Sequence, residues 1–169
     1  MKKLLVAFLL VTTSCFALTA GNIEGFWKTI NEEGVAQAII AIYPYNGLYY
    51  GRLVATFDEK GKVEDSVYHP TKRAPGVEGD PYYCGLDIIW NLKLSGSKYK
   101  GKILDPQKGN IYNAEVWEEK NILIVRGKYL VFGRNQSWLP VADSDLPKDF
   151  KLPDASTFVP VIPIPKSEK

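Results

Sequence analysis

The 169-residue sequence holds two cysteines, one histidine and one methionine. This scarcity removes several chemistries at the outset. Cys15 lies inside an N-terminal leader, so once the leader is cleaved only Cys84 remains and no internal disulfide can form. An unpaired cysteine of an oxidising compartment is expected to be a small buried hydrophobe. His69, followed by Pro70, has no second histidine and no Cys or Asp/Glu at ligand spacing, which argues against a metal site and favours a solvated loop side chain. A nucleophile elbow of the Gly-x-Ser-x-Gly type is missing, as is a glycine-rich phosphate loop. No stretch approaches the roughly 18 to 20 apolar residues of a membrane-spanning helix. The expectations are therefore no enzyme, no cofactor, no metal and no transmembrane segment.

Charge of one sign is missing too, although the formal net charge is +2. Met1-Lys2-Lys3 is a short basic head, Leu4 to Val11 is unbroken apolar, and Ala17-Leu18-Thr19-Ala20 offers small residues for cleavage. That tripartite pattern reads as a signal peptide over residues 1–20 and predicts export, with a periplasmic or secreted product. Lipid attachment at Cys15 is the less favoured alternative, because Thr12-Thr13-Ser14 is a poor lipobox. Without Lys2 and Lys3 the 21 basic residues fall to 19, equal to the 19 acidic ones. A balanced chain gives no electrostatic reason to expect nucleic acid as a partner.

What is present is β-texture. From Gly25 onward, short apolar alternations are separated by turn signals. Strands are expected at 26–30, 35–43, 49–57, 84–94, 98–104, 111–118, 122–126 and 128–133, with a long loop from Asp58 to Pro81. Asn46-Gly47 between tyrosine-rich runs is a strong hairpin signal. Asp105-Pro106 suits the start of a type I turn. Along 84–94, Leu86, Ile88, Trp90, Leu92 and Leu94 share one face, while Asp87, Asn91 and Lys93 share the other, expected to be solvated. From Pro140 the composition shifts, and Pro147, Pro153, Pro160, Pro163 and Pro165 exclude a regular helix or central strand. Residues 159–165 read either as an extended segment lying on the barrel or a partner, or as a mobile tail. The expected organisation is a leader at 1–20, one β-domain at 21–139 and a Pro-rich tail at 140–169. Eight strands joined mostly by short turns favour a single up-and-down antiparallel barrel or a sandwich.

The order of motifs resembles a bacterial lipocalin-like family of small exported proteins of unknown function. The carrying fragments are Gly25-Phe26-Trp27-Lys28-Thr29, Tyr50-Gly51-Arg52, Gly85-Leu86, Gly101-Lys102-Ile103-Leu104-Asp105-Pro106 and Gly109-Asn110-Ile111-Tyr112. Val125-Arg126-Gly127 and Phe132-Gly133-Arg134, ending at Trp138, complete the set. The resemblance implies a calycin-type barrel of about eight strands with an internal cavity. It also implies that Trp27 closes one end in a pair with a late-strand arginine, Arg134 in preference to Arg126. The cysteine pairs and the C-terminal helix signal of lipocalins are missing here.

Aromatic side chains with a few polar groups are what a small-molecule site is lined with. The cavity candidates are Tyr43, Tyr50, Arg52, Trp90, Tyr112, Trp117 and Tyr129, with Arg52 able to hold a carboxylate head in a fork geometry. Trp117 shares a face with Glu115 and Glu119, so it is either an exposed aromatic or the lining of a polar cavity. Strand register decides which face points inward, and a one-residue slip exchanges the two. The functional expectation is binding or carriage of a small hydrophobic or amphipathic molecule, fatty-acid-like in character, inside the barrel. The alternative is an interaction module that contacts a protein or envelope partner, or a second copy of itself, through its surface or tail.

Overall fold

The computed structural model describes residues 21–129 and 132–166. The leader expected at 1–20, with Cys15, lies outside the described residues.

Among the described residues nine strands follow in order: β1 (Gly25–Ile30), β2 (Ala36–Tyr45), β3 (Leu48–Phe57), β4 (Val63–Ser66), β5 (Asp87–Ser95), β6 (Lys98–Asp105), β7 (Asn110–Glu119), β8 (Ile122–Tyr129) and β9 (Phe132–Pro140). Antiparallel pairing runs β2-β1-β9-β8-β7-β6-β5-β3, and a β2–β3 ladder closes the ring. The result is a closed eight-stranded antiparallel barrel, with β4 a short ribbon on the edge of β3. Eight strands enclose just enough room for packed side chains or one small ligand.

Local chemistry explains the turns. Asn46 (φ 49°) and Gly47 (φ 78°) both take the left-handed region, as a two-residue hairpin between right-twisted strands requires. Gly51 has a different cause: a Cβ there would lie 2.9 Å from Ile89 and 3.0 Å from Ile42, so the inner face of β3 has no room for a side chain at that position. Asp105 accepts from the Gln107 and Lys108 amides and begins its turn as expected.

Register sets the faces. Ile40 and Ile42 of β2 pair with Leu53 and Gly51 and point inward, whereas Ala41 and Tyr43 pair with Arg52 and Tyr50 and point outward. Yet Ile39, Ile40, Ala41, Ile42 and Tyr43 are all buried. The outer face is covered by the chain after β9. A second apolar cluster joins Ile39, Ala41, Val54, Ala55 and Phe57 to Leu146, Phe150, Leu152 and Phe158. The Pro-rich segment is thus an extended strap across the outside of β2 and β3, consistent with the first of the two sequence readings. It includes two short 3-10 turns, at Asp143–Asp145 and Ala155–Thr157, and a turn closed by the Phe150 amide on the Pro147 carbonyl.

Two expectations about strands are corrected. The simple alternation along 84–94 fails because β5 carries register shifts between Asp87 and Lys93, against β3 and against β6, with Asn91 at φ 57°. The late region forms two longer strands, β8 and β9, because backbone pairing continues through Gly127 and past Arg134 to Trp138. Among the described residues no helix is long and apolar enough to cross a membrane.

Candidate functional site

One end of the barrel is plugged. Trp27 pairs with Ile40 and so takes the inner face, and its indole Nε1 donates to the Ile23 carbonyl at 2.9 Å. Ile23 is itself fully buried. The segment leading into β1 therefore folds under the barrel, and the indole's one donor is satisfied there.

The opposite end is open. A cavity of about 540 Å³ is lined by Leu53, Ile88, Ile103, Val125 and Trp138 at its apolar depth, with Thr29, Asp105, Tyr112, Arg134 and Gln136 contributing polar groups. Its size falls in the range of small-molecule sites, and the mix of apolar wall and few polar groups is typical of them. Each strand supplies its share through the inward set of its register: Tyr112 opposite Ile103, Val125 opposite Gln136, and Gly127 opposite Arg134. Gly127 leaves room beside it, since a Cβ there would make only ordinary contacts at 3.7 Å or more. Arg134 stands at the rim, pairing with Glu32 of the β1–β2 turn, and its side chain is 73% exposed. An exposed pair of this kind adds little stability, so the guanidinium remains open to competition from an anionic ligand.

The sequence-derived residues divide sharply. Tyr112 lines the cavity. Tyr129 ends β8, and its side chain lies outside the described residues. Tyr43, Tyr50 and Arg52 share the outer face. Trp117 pairs with Ile124 on the outer surface, where the Lys98 ammonium sits 3.8 Å from its ring. Trp90 lies opposite Lys102; it is buried in the main apolar cluster but does not line the mouth cavity. These five are corrected from cavity to outer-face positions or packing: the apolar residues of β2 and β3 claim the interior and turn Tyr43, Tyr50 and Arg52 outward, Trp117 belongs to the outward set of β7, and Trp90 is taken up by packing in the main cluster. Pairing of Trp27 with Arg134 is corrected as well. Trp27 faces Pro140 across the β1–β9 ladder, six positions beyond Arg134, which separates them by roughly 20 Å along an extended strand. Arg126 points outward, opposite Glu115 and Asn135.

Arg52 instead builds an unexpected cluster. Its Nε and Nη2 donate to both oxygens of Asp87 at 3.0 and 2.7 Å, and Tyr43 Oη donates to the same carboxylate at 2.8 Å. Asp87 was expected on a solvated face; its side chain is wholly buried, because the strap lies over it. The Val161 amide donates to Asp87 Oδ2 at 2.8 Å, and Arg52 Nη2 donates to the Val159 carbonyl at 2.7 Å. The Phe158 ring stacks 4.5 Å from the guanidinium. Burial first, then the neighbouring Asp87, pushes the Tyr43 hydroxyl well above its ordinary range, so it stays a neutral donor. This cluster is a latch that holds the strap, and a bidentate Arg–carboxylate pair suits that work.

Two further points concern residue types weighed from sequence. Cys84 is buried, and burial pushes its thiol up to about 12, far from the thiolate a reactive cysteine needs. Among the described residues no group of three or more His, Cys, Asp or Glu is arranged to hold a metal.

Residues 25–139 match a family described as "Uncharacterized protein conserved in bacteria (DUF2147)". Among solved structures, the chain is similar to protein HP1028 from the human pathogen Helicobacter pylori, described as belonging to the lipocalin family. The two superpose with a TM-score of 0.57 at 17% identity, over 73% of this chain and 86% of that one. A likeness at that identity speaks to the fold. A search of the curated proteins found no match.

Proposed function

Since the chain belongs to the DUF2147 family of conserved bacterial proteins, and its barrel is lipocalin-like, we propose that it binds a small hydrophobic or amphipathic molecule at the open end of the barrel. The observation that carries this reading is the mouth cavity of about 540 Å³, apolar at Leu53, Ile88, Val125 and Trp138 and edged by Tyr112, Gln136 and Arg134. The apolar part of a ligand would displace water from the depth, and burial of that surface supplies the driving force. Arg134 would exchange Glu32 for an anionic head at the rim, so a fatty-acid-like amphiphile suits the site. The protein acts here as a binder or carrier without catalysis. Its place of work is the periplasm or the exterior, for which the support is the leader pattern at 1–20.

The test is native mass spectrometry of protein purified without refolding. A bound species of a few hundred daltons, released on denaturation, is expected. Ligand-free spectra from the native source, together with no uptake of added medium-chain fatty acids, would contradict the reading.

A further inference from the structure

The barrel is not sealed along its whole height. β1 and β9 pair only from Trp27–Pro140 to Thr29–Trp138, whereas β8 follows β9 on through Gln136 and Arg134 to Phe132. Beyond Trp138 the two strands part, and at the same level β1 shifts its register against β2, between Thr29 and Ile30. Among the described residues, the β1-facing edge of β9 from Phe132 to Ser137 therefore has no ladder partner. A second cavity of about 530 Å³ lies at this seam. Thr29, Arg134 and Gln136 line both it and the mouth, so the two compartments adjoin across these three side chains.

Their chemistry differs. The mouth is apolar at depth, but the seam is lined mainly by neutral polar side chains, and three of its amides are already oriented. Asn31 Oδ1 accepts from the Glu33 and Val35 amides at 3.0 and 2.8 Å. Gln136 Oε1 accepts from the Trp138 indole at 3.1 Å. Gln37 Nε2 donates to the Val35 and Ala36 carbonyls at 3.4 and 3.1 Å. An indole and a backbone amide only donate, and a carbonyl only accepts, so each bond fixes which end of the side chain is used. What is left for a ligand is an NH2 group on Asn31, another on Gln136 and a carbonyl on Gln37, with Asn135 and the Ser137 hydroxyl beside them. The charges of the seam, Arg134 and Glu32, already meet each other. A neutral set of both donors and acceptors suits groups that also do both, as the hydroxyls of a sugar do. Resting on the mouth as a ligand site, we propose that the ligand is an amphiphile with a neutral polyhydroxylated head, an alkyl or acyl glycoside, whose chain enters the mouth while its sugar lies in the β1–β9 seam. Amides that are oriented beforehand lower the cost of ordering on binding. A fatty acid uses the mouth and Arg134 alone and leaves the seam to water.

Displacement of a dansylated fatty acid by decyl maltoside and by decanoic acid, each below its micelle-forming concentration, tests this. The two competitors carry chains of equal length, so a difference between them reports the head. The maltoside should bind wild type about tenfold more tightly than decanoic acid, or better. Gln37→Ala combined with Asn135→Ala changes two exposed side chains of the seam that do not line the mouth. That variant should lose the preference while binding decanoic acid as wild type does. A maltoside that binds wild type no better than decanoic acid, or a preference that survives in the double variant, would overturn the sugar assignment and leave the mouth reading standing. A probe that does not bind wild type at all would overturn both.

Discussion

At the scale of single residues, Trp27 is the clearest structural commitment of the chain. It is 6% exposed, its donor is satisfied by Ile23, and Gly25 lets the backbone turn just before it. Trp27→Ala should cost about 3 to 5 kcal/mol, the usual range for deleting a large buried aromatic, read from urea denaturation. Cys84 should be inert in the native state: iodoacetamide at about pH 8 should leave it unmodified until denaturant is added, since its thiol stays protonated. Glu115 gives a pH dependence. Its hydrogen bond from Lys128, with Lys98 and Lys100 nearby, holds its carboxyl below the ordinary glutamate range. A group depressed on folding adds stability above its unfolded value and loses it as pH falls through the folded one. Wild type should therefore lose thermal stability relative to Glu115→Gln on acidification below about pH 4.5, with little relative change between about pH 6 and 8. At this scale the sequence was readable where one local cause decides a residue, as with Asn46-Gly47 or Asp105. Arg134 and Asp87 were misread because their partners, Glu32 and the strap, are distant in sequence.

At the scale of elements, the strap carries the main surprise. Composition excluded a helix from residues 140–169, but it left an ordered cover and a loose tail equally open. The deciding contacts join residues more than seventy positions apart, such as Val161 with Asp87. A hint was present in β2, where Ile39 to Tyr43 is apolar without alternation, as strands covered on both faces are. Replacing Asp87 by Asn should destabilise the protein by about 3 kcal/mol, because it leaves the Arg52 guanidinium, 15% exposed, without its counter-charge. Limited proteolysis should then cut the segment near Val159 well before the barrel, whereas the wild-type strap should resist. Equal cleavage rates would mean that the latch does not hold it. The lining was misassigned at the same scale. Tyr43, Tyr50 and Arg52 carry the residue types of a binding site, but Ile40, Ile42 and Leu53 claim the interior, and pairing across β2 and β3 then sends the tyrosines and the arginine outside.

At the scale of the whole molecule, the closed barrel was legible, since turn chemistry and period-two patterning repeat along the chain and agree with one another. The resemblance also placed Trp27 at the closed end; the side chains lining the open one were not legible, because they depend on the inward set of β7, β8 and β9, which is not a local property. The cavity between Leu53, Val125, Tyr112 and Gln136 is the central functional claim, and Gly127 provides a clean probe of it. Its backbone is outside the left-handed region and a Cβ there would make only ordinary contacts, with Ile103 and Tyr112, so Gly127→Leu should fill the mouth without disturbing the fold. The decisive measurement is fluorescence titration of wild type and Gly127→Leu with a dansylated fatty acid, alongside their melting temperatures. Saturable one-to-one binding to wild type, reduced at least tenfold in Gly127→Leu at a similar melting temperature, is the predicted result. Equal binding by the two proteins, or none by wild type, would contradict a ligand site in the barrel mouth.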